Sequence, residues 1–283
     1  MPRFEHKYKV PVEKLDVLRE YMQNYLTVDK FASGQMDNTY TVRSIYYDTS
    51  DMRFYHEKIE GLRVRKKLRI RGYDTQQDNS VTFLEIKRKN DSSISKNRSP
   101  LLYKNLSSLM ATSDIGTYVG LSHKQNGALT DARKFFYYMN ALSLKPTIKV
   151  IYDREPYFYK FNRALRLTFD KNLRSSLVCD IDSLYSENDP VYAMPNYFTL
   201  EIKGKGPYPQ WLQFIIGKLG LRRQAISKYT ICIDSHNKFG PPIPHICRTK
   251  SSPKIGNGFF NDAKKSQYLE ISNEVEKIIK TDI

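Results

Sequence analysis

The stretch KKLRIRGYD, Lys66 to Asp74, alternates basic and apolar side chains with the two-residue period of a strand. Leu68 and Ile70 share one face; Arg69 and Arg71 share the other, with Lys67 on the same side. Same-face neighbours of like charge repel, so such a strand needs either solvent or an anion over its basic side. Other segments repeat the habit. In VTFLEIKRK (81–89), Glu85, Lys87 and Lys89 follow Phe83 on one face, and Leu84 and Ile86 point away. In LRLTFDKNL (165–173), Arg166, Thr168 and Asp170 oppose Leu165, Leu167 and Phe169. In YFTLEIKG (197–204), Thr199, Glu201 and Lys203 oppose Leu200 and Ile202, and FEHKY (4–8) puts Glu5 beside Lys7. Arg154 ends an apolar strand, and Lys228 follows Ser227, a candidate helix N-cap.

For any single strand a solvated charged face explains the pattern, because one-sided antiparallel sheets are common. Solvated faces, however, mix Lys, Glu, Thr and Ser and avoid clustered arginine. Turning the shared face inward gives a barrel with a basic lumen that carries a few carboxylates. Desolvating that many cations requires an anion. The expectation is a bound polyanion, with a divalent metal held jointly by a carboxylate and phosphate oxygens.

The rest of the chain bounds this reading. At 283 residues it is long enough for one large domain or two small ones. Its 40% hydrophobic and 13% aromatic content argues for a folded core against disorder. A formal charge of +16 favours an anionic partner: nucleic acid, an acidic membrane face or a phosphate-rich small molecule. No helix-turn-helix, zinc-finger or RNP-like pattern is present, so nucleic acid is not the expected partner. Cys179, Cys232 and Cys247 have neither zinc-ligand spacing nor a paired framework, which fits a reducing compartment. The N-terminal MPRFEHKYKV lacks the apolar core of a signal peptide, and no run reaches the ~20 apolar residues of a membrane span. The reading is a soluble, cytoplasmic protein.

Along the chain, PVEKLDVLREYMQNYL (11–26) reads as an amphipathic helix opened by Pro11. Strands follow at VRSIYYDT (42–49), LRVRKKLRIRGYD (62–74) and VTFLEIKRK, and NDSSISKNRSP (90–100) reads as a polar, basic loop. Helices are expected at 100–112 and 129–142, then strands at 146–159, 165–173 and 197–204. PQWLQFIIGKLG (209–220) reads as a helix stopped by Gly220. No composition change marks a linker before about residue 237, so 1–238 is read as one domain. Residues 239–283 form a Pro/Lys/Ser-rich connector and a C-terminal helix, SQYLEISNEVEKIIK.

In order, the pieces EHKY, YYDT, LRIRGY, FLEIKRK, YDREPY, LRLTFD, LEIKG and SKY run from Arg3 to about Asp234. Together they resemble the polyphosphate-polymerase (VTC) domain of the triphosphate tunnel metalloenzymes. The resemblance implies an α+β fold: a closed antiparallel β-barrel of about eight strands, open at both ends, with helices packed outside. It implies phosphate ligands at Lys7, Arg69, Arg71, Lys87, Arg154, Arg166 and Lys228, with Lys203 as a further contact. Glu201 matches the carboxylate that binds Mn2+ or Mg2+, and Glu5 and Glu85 are secondary metal candidates. The implied activity is ATP:polyphosphate phosphotransfer, with Arg69, Arg71, Lys87, Arg166 and Glu201 as the catalytic group, ATP and polyphosphate or triphosphate as substrates, and a tyrosine against the adenine.

The chain departs from the pattern in two ways. Tunnel triphosphatases carry an E-x-E-x-K pattern on the first strand, and this chain has only Glu5-His6-Lys7 there. That favours a polymerase over a two-metal triphosphate hydrolase; a non-catalytic polyphosphate binder is the third reading, against which Glu201 argues. The regulatory domain and membrane spans of eukaryotic members have no counterpart, so attachment at the inner membrane face would need a membrane-protein partner. His6 is expected to face away from Glu5 and Lys7 in a structural role, and the other histidines suggest no metal site. Tyr46, Tyr47, Tyr137, Tyr138 and Tyr157 are read as core or barrel exterior. Lys67 shares the parity of Arg69 but has no family match.

Overall fold

A computed structural model describes residues 3–91, 93–119, 127–178 and 180–239. The expected C-terminal helix, with Cys179, Cys247, His123 and His245, lies outside them. Strand β1 (Arg3–Pro11) leads through a 3₁₀ turn to helix α1 (Leu15–Met22), and β2 (Leu26–Val28) follows. Pro11 therefore closes a strand, with extended ψ of 141°, and the helix starts later than the sequence suggests. Next come β3 (Tyr40–Asp48), α2 (Arg53–Ile59), β4 (Val64–Tyr73), β5 (Val81–Asn90) and β6 (Ser93–Leu102). Three helices, α3 (Leu106–Thr112), α4 (Ile115–Val119) and α5 (Ala128–Ala141), precede the long hairpin β7 (Lys145–Tyr159) and β8 (Asn162–Leu177). The described chain ends with β9 (Val191–Tyr192), β10 (Tyr197–Lys205), α6 (Gln210–Lys218) and α7 (Lys228–Phe239). No helix among the described residues is long and apolar enough to cross a membrane.

The strands form one curled antiparallel sheet in the order β1-β10-β8-β7-β3-β4-β5-β6, with β2 on β7 and β9 on β8. Register carries the one-sided charge from strand to strand: Lys7 faces Glu201, Lys203 faces Arg166, Arg154 faces Asp170 and Arg69 faces Glu85. The apolar faces point outward. Leu68, Ile70, Leu84 and Ile86 pack under α3, α4 and α5. Leu165, Leu167, Leu200 and Ile202 pack with residues of α1 and α6.

The expected eight-strand antiparallel curl forms, as a half-barrel whose seam has a particular construction. Among the described residues no ladder joins β6 to β1. The connector between α6 and α7 takes up the free edge of β1, where the Gln224 N–H donates to the Lys7 carbonyl at 2.8 Å. Across the gap, Lys87 Nζ lies 3.9 Å from Glu5 Oε2.

Two expectations are corrected. Residues 90–100 are mostly the edge strand β6 rather than a loop. Its serine and asparagine side chains hid it, because what holds it is tertiary: the full β5 register, and Asp131 of α5, which accepts from Asn97 Nδ2 at 2.7 Å and Arg98 N at 2.8 Å. Second, the helices are not all outside. Helix α7 packs Tyr229, Cys232 and Ile233 against Val42, Tyr46, Ile148, Val150, Tyr152 and Leu173. Val42, Tyr46, Val150 and Tyr152 have the parity of the basic residues, so α7 fills the bore beside β3, β7 and β8. A register shift opposite Asn172, at φ 51°, brings Leu173 onto that inner face.

Gly72 sits in the opening stretch on the outward face, where a Cβ would meet the Tyr185 hydroxyl at 2.7 Å and its ring at 2.9 Å. Gly72→Ala is expected to push Tyr185 off the sheet and lower stability by about 1–3 kcal/mol, read as a lower urea midpoint. An unchanged midpoint would show that Tyr185 moves freely.

Candidate functional site

The inner face encloses a cavity of about 470 Å³. All eleven residues singled out from the sequence line it: Glu5 and Lys7 from β1, Arg69 and Arg71 from β4, Glu85 and Lys87 from β5, Arg154 from β7, Arg166 from β8, Glu201 and Lys203 from β10, and Lys228 from α7. They are far apart in sequence, and only alternation in register around a curled sheet brings them together.

Among the described residues fourteen lysines and arginines line the cavity against three glutamates. Each acid is already engaged by cations. Arg69 Nε donates to Glu85 Oε2 at 2.7 Å, and Arg71 and Arg98 lie 3.6 and 3.3 Å from that carboxylate. Burial alone would raise the Glu85 pKa, but Arg69 and Arg71 overcome it and hold the carboxyl at about 2. Glu201 pairs with Lys203 and lies 3.9 Å from Lys7. Burial opposes its ionisation, yet Lys203, Lys7 and Lys228 keep it well below the usual carboxylate range. Glu5 contacts Lys7 at 3.4 Å and Lys87 at 3.9 Å. Burial draws the Lys87 ammonium down to about 8, with Glu5 opposing and Lys7 adding to the fall.

A fourth acid stands behind the wall. Asp170 is fully buried and accepts from Arg154 Nε at 2.7 Å and Nη2 at 2.8 Å, and from Lys228 Nζ at 2.6 Å. This one carboxylate fixes two of the expected phosphate ligands. Arg166 is steadied likewise by Asp29, with Nη2 donating at 3.1 Å. Lys228 enters the cavity because Ser227 caps α7, its hydroxyl accepting from Thr230 N at 3.4 Å.

Sequence reading missed part of the wall. Lys58 stands on α2, a helix the sequence did not suggest; Lys96 and Arg98 lie in the stretch read as a loop. Their alternation, two apart and in register with Lys87 and Glu85, was the available signal. Tyr46, read as core or exterior, lines the cavity and accepts from Arg69 Nη1 at 2.8 Å. Tyr152 also lines it, beneath Arg154 and Lys228, which lie 5.2 and 4.6 Å from its ring centre. His6 faces outward as expected, with Nδ1 bonded to the Tyr208 hydroxyl at 2.7 Å.

No group of three or more His, Cys, Asp or Glu side chains among the described residues makes a preformed metal cage. What the wall offers is Glu201, with Glu5 across Lys7. That donor set fits a hard cation that takes one or two protein carboxylates and completes its shell with phosphate oxygens and water. Chemically, the site can hold a string of phosphate groups and spread their charge over planar guanidinium forks and point-like ammonium groups.

A family model described as the VTC domain matches residues 2–237. No curated protein matches the chain. Among solved structures, the PH1819 protein of Pyrococcus horikoshii OT3 is 13% identical with a TM-score of 0.42, covering 82% of this chain and 99% of that one. HpAC1 of Hippeastrum, described by a dominant triphosphatase activity, is 13% identical with a TM-score of 0.45, covering 82% and 95%. The Mediator head module of Schizosaccharomyces pombe gives 10% identity and 0.37, over 78% and 92%. These likenesses are distant, and the family match stands on its own.

Proposed function

The chain belongs to the VTC-domain family, and on that premise we propose that it is a metal-dependent polyphosphate polymerase using ATP. A terminal oxygen of a polyphosphate chain held in the tunnel attacks the γ-phosphorus of ATP. The bond to the β–γ bridging oxygen breaks, ADP leaves, and the chain is one phosphate longer. Such transfer needs positioning and charge stabilisation more than covalent help from the protein. Arg69, Arg71, Lys87 and Arg166 would neutralise the transferring group, while Lys7, Arg154, Lys203 and Lys228 hold the flanking phosphates. Glu201, with Glu5 and Glu85 nearby, would hold Mn2+ or Mg2+ jointly with phosphate oxygens, and the ion supplies further charge neutralisation there.

The observation that carries this reading is the charge of the enclosed wall: fourteen cations around three acids, in a space of about 470 Å³. A folded chain tolerates that arrangement when an anion completes it. Polymerisation is preferred to hydrolysis because β1 turns a single acid inward, Glu5, and Lys7 and Lys87 already hold it. In this reading the domain works in the cytoplasm.

The test is to incubate the purified protein with ATP and Mn2+ and resolve the products. ADP with chains longer than triphosphate is expected, and chelating the metal should stop turnover until Mn2+ is restored. ADP with free phosphate and no chains would assign a hydrolase. Polyphosphate retention without nucleotide consumption would assign a binder.

A further inference from the structure

Lys67 is the inward cation of the opening stretch for which the sequence offered no role. On β4 it stands two residues from Arg69, and across the ladder its partner is Lys87. Lys7 of β1 and Lys58 of α2 add their charge to the same space. From α7, Ser227 Oγ accepts from Lys67 Nζ at 2.7 Å, and the Tyr229 ring centre lies 5.3 Å away. Among the described residues no carboxylate reaches ion-pair distance. The nearby acids are taken: Glu5 by Lys7 and Lys87, Glu85 by Arg69 and its neighbours, Glu201 by Lys203.

An ammonium so placed has four cations around it and only a hydroxyl and a ring to offset them. Its side chain lines the cavity. Burial pushes the amine well below its ordinary value, and Lys7, Lys87, Lys58 and Arg69 push it further. A phosphate chain in the cavity reverses every one of those repulsions, because it brings negative charge to the same point. Lysine alone among the tunnel cations suits such a change, since a guanidinium stays charged in any surroundings.

We propose that Lys67 is a further phosphate-contacting residue of the tunnel, and that its amine takes up a proton as a polyanion binds. The proposal rests on the tunnel reading above and adds to it a coupled proton. One proton passes from water to Nζ as the anion binds. The resulting ammonium has three N–H donors, of which Ser227 takes one and phosphate oxygens can take the others. The free protein is thereby relieved of one repulsive charge, and the bound state regains it where it is useful.

Isothermal titration calorimetry of the full chain with tripolyphosphate tests this, at about pH 8, where an ordinary lysine is already protonated. Repeating each titration in two buffers of different ionisation enthalpy gives the protons taken up per anion. Wild type should take up on the order of one proton more than Lys67→Arg, which carries its charge permanently. Changes in the protonation of tripolyphosphate are common to both proteins and cancel in the difference, and making the same comparison in a Lys87→Arg background removes the coupled amine across the ladder, drawn down to about 8. Lys67→Met, with an unchanged circular dichroism spectrum, should bind about ten- to a hundredfold more weakly, the loss expected for one charged hydrogen bond. Equal proton uptake by wild type and Lys67→Arg, with tight binding in both, overturns the proposal and leaves the tunnel reading intact. Absence of binding by wild type overturns both.

Discussion

Asp170→Asn is expected to lower stability by about 3–5 kcal/mol, the usual cost of removing one member of a buried charge cluster. Asp170 has no exposed side-chain surface, and both Arg154 and Lys228 close on it. The amide would remove the negative charge and leave two buried cations facing each other. Desolvation of Asp170 opposes its ionisation, but Arg154 and Lys228 overcome this and hold the carboxyl at about 2, below its ordinary 3.8. The sign of the pH dependence follows: its stabilisation is fully present above the unfolded pKa of 3.8 and disappears as pH falls through about 2. Urea unfolding at neutral pH reads the loss, and the difference between wild type and variant should shrink toward the acid limit. Removing all three charges, as Asp170→Leu with Arg154→Met and Lys228→Met, should recover much of the stability, since an apolar replacement of a buried cluster is often neutral. That variant should still be inactive. An Asp170→Asn protein as stable as wild type would mean that the cavity is wetter than its walls suggest.

Arg71→Ala is expected to reduce turnover by a factor of about 10²–10³, the loss typical of one preorganised donor aimed at developing charge. The reason lies in how little Arg71 is used by the protein itself. Among the described residues its Nε reaches only the Ser44 hydroxyl, at 3.3 Å, and lies 3.6 Å from a Glu85 carboxylate already held by Arg69. Arg154, in contrast, spends two N–H groups on Asp170. The Arg71 fork is thus the better supplied with donors for phosphate oxygens. Arg71→Lys retains the charge and loses the fork, so it should recover only part of the rate. Full recovery by lysine would assign the effect to net charge. Glu201→Gln should behave differently, keeping tripolyphosphate affinity while losing metal-dependent turnover.

Much of the site was legible because a strand's period is two. Arg69 and Arg71, Glu85 and Lys87, Glu201 and Lys203 could be assigned to a common face one strand at a time, and the register then joined those faces. What could not be read depends on partners distant in the chain. Asp170 sits on the inward face of LRLTFD, but its service to both Arg154 and Lys228 exists only after β7, β8 and α7 meet. Lys96 and Arg98 were hidden in a serine-rich edge strand that Asp131 of α5 holds in place. The entry of α7 into the bore was invisible for a similar reason. The register shift opposite Asn172 exchanges the faces of β8, and one added residue is enough to make an apolar inner surface beyond a charged one.

A crystal structure of the protein with tripolyphosphate puts the central claim to its most direct test. The account places the three phosphates in a row inside the cavity, within hydrogen-bond distance of Arg69, Arg71, Arg154 and Arg166. Tripolyphosphate found only on the outer surface, with the inner arginines still satisfied by Glu85 and Asp170 alone, would contradict it.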